Sequence, residues 1–138
     1  MSLWVLDTDM LTLWLRGQET VAGRVATTPP QQLAVTIITV EEILGGWYTQ
    51  IRQARDDQQL ARAYQALQQA VEFTRGMQLL SFDLPEMRRY RQLRTQHRRI
   101  GTNDLRIAAI VLEQQGILVT RNTTDFADIP GLQLDDWS

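Results

Sequence analysis

At 138 residues and a net charge of −2, the chain suffices for one domain, residues 1–138, that buries its own core without metal or disulfide staples. It has no cysteine, which excludes a disulfide framework and any thiolate metal site. No basic segment precedes an apolar stretch at the start and no run approaches about 18 apolar residues, so neither export nor a membrane span is expected, and a cytoplasmic location is.

In chain order, residues 3–6 read as a short buried strand, followed by helical patterns over about 9–16 and 19–26. A second strand at 33–36 leads into helices over about 40–53 and 57–74, and a third at 77–80 leads into helices over about 84–98 and 103–114. Strands at 117–120 and 132–134 close the chain. Asp83-Leu84-Pro85-Glu86 marks a helix start, with an N-cap, a first-turn proline and a glutamate three residues after the cap. That helix sets Met87, Tyr90 and Leu93 on one face, most simply core, while Gly116 is the expected terminator of the 103–114 helix. Strands alternating with helices imply right-handed crossovers and a mostly parallel sheet, an α/β fold.

Each notable carboxylate adjoins a strand's carboxyl end or a helix amino terminus. Asp7 ends the first strand, and ligands of open α/β sheets bind at such ends. Thr39-x-x-Glu42 has the spacing of a capping box, so Glu42 either bonds the backbone or joins Asp7 on the sheet rim. Asp104 lies in a first helical turn, where the helix dipole favours a negative charge. Asn122 and Asp125 occupy a segment of turn formers after the fourth strand. If one rim gathers them all, their mutual repulsion is relieved by a hard divalent cation such as Mg²⁺ or Mn²⁺, which suits phosphodiester hydrolysis. His97, the only histidine, lies away from these motifs, and neither a Ser/His/Asp mechanism nor a Walker loop has support.

Every basic side chain is arginine, and six of the 14 fall between Arg88 and Arg99. The run is either a solvated helix face or a phosphate-binding patch, since the planar guanidinium grips phosphate bidentately. Arg88, Arg91, Arg94, Arg98 and Arg99, with Arg121 beside Asn122, are the phosphate-binding candidates.

Leu6-Asp7-Thr8-Asp9, Ile38-Thr39-Val40-Glu41-Glu42-Ile43, Ile100-Gly101-Thr102-Asn103-Asp104-Leu105-Arg106-Ile107-Ala108-Ala109 and Leu118-Val119-Thr120-Arg121-Asn122-Thr123-Thr124-Asp125-Phe126 resemble the four signature blocks of VapC-type PIN-domain toxins. The resemblance runs nearly end to end, through Ile129-Pro130-Gly131-Leu132 and Asp135-Asp136-Trp137. It implies a three-layer α/β/α sandwich and an Mg²⁺- or Mn²⁺-dependent endoribonuclease with Asp7, Glu42 and Asp104 as acidic metal ligands. Asn122 stands where many relatives have aspartate and still offers a neutral oxygen to the catalytic site, and Asp125 is expected to join the metal site, directly or through water. Asp9 replaces a common asparagine, and Glu41 a common small residue. Thr8, Asp9 and Asn103 are expected to orient the ligands or water; the alternatives are that Thr8 and Asn103 cap helices and that Asp9 faces solvent. The resemblance further implies a VapB-like antitoxin, an RNA substrate and a homodimer. Trp47 and Tyr48, with Ile43, Leu44 and Ile51, either line the antitoxin groove or belong to the core. The alternatives are a catalytically silent binding module and a PIN nuclease of RNA maturation.

Overall fold

The computed structural model describes residues 2–138. Among them, five strands form one all-parallel sheet in the order β3-β2-β1-β4-β5: β1 Trp4–Leu6, β2 Leu33–Thr36, β3 Gln78–Leu80, β4 Ile117–Val119 and β5 Gln133–Asp135. Helices α1 Thr8–Leu15 and α2 Glu19–Thr27 connect β1 to β2, α3 Ile37–Gln53 and α4 Asp57–Thr74 connect β2 to β3, and α5 Leu84–Gln96 and α6 Thr102–Gln114 connect β3 to β4. The short helix α7, Thr123–Phe126, precedes β5.

Side chains on a strand alternate between faces, and two cores result. Val5, Ala34 and Leu118 face α5 and α6, packing with Tyr90, Leu93, Leu105 and Ile107–Val111. Leu6, Leu33, Val35 and Val119 face the other way, onto Met10, Leu11, Val21 and the partly buried Trp14 and Phe73. The architecture is thus a three-layer α/β/α sandwich. Trp137 closes the second core, 2% exposed, with its ring 5.6 Å from Trp4 and its Nε1 donating to Asp135 Oδ2 at 3.1 Å. Among the described residues no helix is long and apolar enough to cross a membrane.

The sequence reading is corrected in three places. Helix α3 begins at Ile37 rather than near residue 40, because the Thr36 hydroxyl accepts from Thr39 N (3.1 Å) and caps it directly off the strand. This N-cap overrides the strand preference of the β-branched run Thr36-Ile37-Ile38-Thr39-Val40. Helix α6 ends on Gln115, which takes the left-handed conformation at φ 54°. Gly116 serves closeness instead, since a Cβ there would lie 3.0 Å from Leu3 O and 3.3 Å from Val5 Cγ2. Helix α5 stops at Gln96 rather than 98. Beyond it, Arg94 gathers the carbonyls of His97, Arg98 and Ile100 at 2.9–3.3 Å. The expected start of α5 stands: Glu86 Oε1 accepts from Asp83 N at 2.8 Å.

The chain leaves β1 for β2 and β3 on one side and returns to β4 on the other, so the topological switch point lies between β1 and β4. Crevices at such points are where open α/β sheets bind ligands.

Candidate active site

An open cleft of about 670 Å³ occupies the carboxyl edge of the sheet, lined by Asp7, Thr8, Asp9, Thr12, Arg16, Glu42, Asp104, Arg121, Asn122 and Phe126. Asp7 follows β1 directly and is the N-cap of α1, its Oδ1 accepting from Met10 N at 2.8 Å. It is only 8% exposed. Burial pushes its pKa up to about 6, the charges of Asp9 and Asp104 push the same way, and hydrogen bonds from Thr120 and Met10 oppose them.

Glu42 does not cap a helix. Thr39 is already inside α3, and Glu42 Oε1 accepts from Thr8 Oγ1 at 2.6 Å, across 34 residues of sequence. The capping-box alternative is therefore set aside, and Glu42 faces the cleft. The Thr8 hydroxyl donates to Glu42 and lies 3.1 Å from the Thr39 hydroxyl, while the Thr8 carbonyl accepts from Thr12 Oγ1 at 2.8 Å. Asp104 sits in the first turn of α6, half-buried, and its carboxylate accepts no hydrogen bond among the described residues. Burial raises its pKa, and the charges of Glu42 and Asp125 raise it further.

Asn122 leaves β4, its backbone N–H held by Thr120 Oγ1 (2.9 Å) and its Nδ2 donating to Asp125 Oδ2 at 2.8 Å. That arrangement leaves Asn122 Oδ1 as a neutral acceptor. Asp125 does not line the cleft. It lies in an adjoining one of about 710 Å³, with His97, Arg98, Arg99, Thr124 and Asp128, and reaches the site through Asn122 and through its charge on Asp104. Asn103 lies outside both clefts.

The arginines divide. Arg121 lines the site and forms a bidentate pair with Asp9, Nε to Oδ2 at 2.6 Å and Nη2 to Oδ1 at 2.8 Å. Arg98 and Arg99 line the adjoining cleft, Arg94 is committed to the α5–α6 loop, and Arg88 and Arg91 are exposed on α5 away from the cleft lining. Sequence reading missed Thr12, Arg16 and Thr120. Thr8, Thr12 and Arg16 recur every four residues, a helical stripe that places Thr12 and Arg16 beside Thr8 and was available as a signal.

Next to the cleft, α1, α3 and α4 enclose a groove of about 610 Å³ that shares Thr8, Thr12, Arg16 and Glu42 with it and is floored by Leu15, Ile43, Trp47, Ala66 and Ala70. Of the residues read as groove or core, Trp47 and Ile43 line this groove. Tyr48 instead points outward at 49% exposure, Leu44 faces a small apolar gap, and Ile51 touches neither.

The donor set of the site is carboxylate, amide and hydroxyl oxygen, with neither imidazole nor thiolate, which fits a hard divalent cation. The raised pKa values of Asp7 and Asp104 point the same way, because clustered desolvated carboxylates are stabilised by a cation. As placed, no three metal-binding side chains among the described residues converge on one ligand position. Glu42 is turned onto Thr8 and Asn122 onto Asp125.

The PIN-domain family profile matches residues 4–132. Ribonuclease VapC1 of Haemophilus influenzae (strain R2866) is 27% identical over 138 residues, covering 99% of this chain and 98% of that protein. The structure of VapBC-1 from nontypeable Haemophilus influenzae superposes with a TM-score of 0.77 at 26% identity, covering 98% of each chain. DNA-bound VapBC from Salmonella typhimurium shares the fold throughout, with a TM-score of 0.80 at 21% identity and 100% of each chain covered.

Proposed function

Since the chain belongs to the PIN-domain family, we propose that it is a metal-dependent endoribonuclease of the VapC type, the toxin of a toxin–antitoxin pair. One observation carries this reading: Asp7, Glu42 and Asp104 share an open cleft at the switch point of a parallel sheet, and burial and neighbouring carboxylates raise the pKa of both Asp7 and Asp104. Such a site costs stability and is suited to a cation and a phosphodiester.

Asp7, Glu42 and Asp104 would hold Mg²⁺ or Mn²⁺, with the Asn122 oxygen and, through Asn122 or water, the Asp125 charge beside them. When bound, the ion would supply positive charge to the phosphodiester under attack and would acidify a water. The chain's own residues prepare the site. Thr8 fixes the Glu42 carboxylate, the Met10 N–H and Thr120 fix Asp7, and the open cleft admits a single strand. Thr8 thus orients a ligand, whereas Asp9 is paired with Arg121 and touches none of the ligands. No contact supports an orienting role for Asn103. Arg121 and Arg16 are the cations in the cleft lining, and Arg98 and Arg99 offer phosphate contacts next door.

The groove between α1, α3 and α4 is apolar at its floor and opens onto Glu42 and Arg16, which suits an amphipathic segment of a VapB-like antitoxin ending at the active site. Solved structures similar to this chain include a toxin–antitoxin complex. A single domain acting as a homodimer completes the proposal.

The test is cleavage of total cellular RNA by antitoxin-free protein, wild type against Asp104→Asn, with Mg²⁺, Mn²⁺ or chelator, mapping the new ends. Discrete ends that require both a metal ion and Asp104 are expected. Folded protein that leaves RNA intact under every metal would replace the nuclease with a binding module.

A further inference from the structure

Asp9 and Arg121 lie 112 residues apart in the chain, on opposite sides of the switch point, and both line the active-site cleft. Their pair is bidentate, yet each side chain is about half exposed, at 49% and 50%. An exposed ion pair contributes little to stability, so the fold does not explain it. Of the five N–H donors of a guanidinium, two go to Asp9. The other three have no partner among the described residues. Asp9 therefore holds the planar fork in one orientation at the cleft wall with most of its donors unspent.

We propose that Asp9 and Arg121 form a substrate-positioning clamp, in which Arg121, aimed by Asp9, binds a phosphate of single-stranded RNA neighbouring the scissile one. The clamp rests on the nuclease reading and adds to it a residue pair that sets the register of the strand. Arg121 serves two anions at once, a carboxylate along one edge of the fork and a phosphate along the other, which lysine's single ammonium does not match. Asp9 is then a positioning residue, acting on RNA through Arg121 although its own charge repels RNA.

That opposition gives a test of sign. If Asp9 only repels RNA, Asp9→Asn tightens binding. If it aims Arg121, Asp9→Asn weakens binding in the wild-type background and tightens it once Arg121 is gone. Steady-state cleavage of a short single-stranded RNA spanning a mapped cleavage end is measured for wild type, Asp9→Asn, Arg121→Ala, Arg121→Lys and the Asp9→Asn/Arg121→Ala double variant, at several salt concentrations. Arg121→Ala is expected to raise KM about tenfold with kcat within about threefold, because a contact away from the reacting phosphorus contributes equally to bound substrate and transition state. It should also lower the salt slope of binding by about 0.7. Arg121→Lys is expected to restore the slope but not KM. Asp9→Asn is expected to raise KM alone and to lower it in the Arg121→Ala background.

Asp9→Asn lowering KM in both backgrounds, or Arg121→Ala changing neither KM nor the slope, overturns the clamp. Cleavage that still depends on Asp104 would then leave the nuclease standing. Where wild type does not cleave, the same sign test is read from the Kd for a fluorescein-labelled single-stranded RNA in EDTA. Wild-type protein that neither cleaves nor binds RNA overturns both readings together.

Discussion

The Asp7 carboxylate caps α1 through Met10 and carries a charge that its buried surroundings disfavour. Its pKa rises from 3.8 to about 6 on folding. Between those values the folded state holds a proton that the unfolded state has released. Stability therefore falls as pH rises through that window, by roughly 3 kcal/mol in all, and the loss persists above it. Asp7→Asn keeps an oxygen for Met10 and removes the charge. It is expected to raise the Tm of the metal-free protein by several degrees near neutral pH and to leave it unchanged below about pH 4, as read by calorimetry in EDTA. The same variant should lower kcat/KM at least about a hundredfold, and at subsaturating metal wild-type kcat/KM should decline as pH falls below about 6, because protons compete with the cation for Asp7. Thr8 makes a separate prediction. Thr8→Val keeps the shape but frees Glu42 from its 2.6 Å hydrogen bond, so the metal concentration that gives half-maximal cleavage should rise about 10- to 100-fold. Thr8→Ser, which keeps the hydroxyl, should not share this loss.

At the scale of elements, helix starts bring the site together. Helix α3 begins directly on β2 through the Thr36 cap and so presents Glu42 in its second turn, while α1 begins on Asp7 itself. The α5–α6 loop is tied by Arg94 to the carbonyls of His97, Arg98 and Ile100 and to Thr102 Oγ1, which fixes where α6 starts and hence where Asp104 sits. Gly116 lets the α6–β4 turn lie close against Leu3 and Val5. Gly116→Ala places a methyl 3.0 Å from the Leu3 carbonyl and 3.3 Å from Val5 Cγ2, backbone and core that cannot swing aside. A loss of about 1–3 kcal/mol in urea unfolding is expected, with the residual activity per folded molecule little changed.

Across the whole molecule, one edge of the sheet concentrates negative charge that the fold itself does not neutralise, so a divalent cation should act as a folding ligand. Mg²⁺ or Mn²⁺ at about 100 times its Kd is expected to stabilise wild type by about 2.7 kcal/mol, seen as a rise in Tm that EDTA reverses and that Asp104→Asn abolishes. Much of this was legible in the sequence. All five strands were found within one or two residues, because buried parallel strands are short continuous apolar runs between turn signals. Asp7 and Asp104 were legible from their positions at a strand end and in a first helical turn. Periodicity, capping chemistry and breaker residues act within a few neighbours, and they determined the α/β alternation, the layers and the rim that gathers the carboxylates. Tertiary structure alone decided that Glu42 turns to Thr8 rather than to its own backbone, that Asp125 stands in a neighbouring cleft behind Asn122, and that Arg121 closes on Asp9 while Arg94 ties a loop. Those choices are hydrogen bonds and charges between residues far apart in sequence, 34 for Thr8 and Glu42 and 112 for Asp9 and Arg121. Their free energies depend on distance and burial, which exist only once the sheet has brought the elements together.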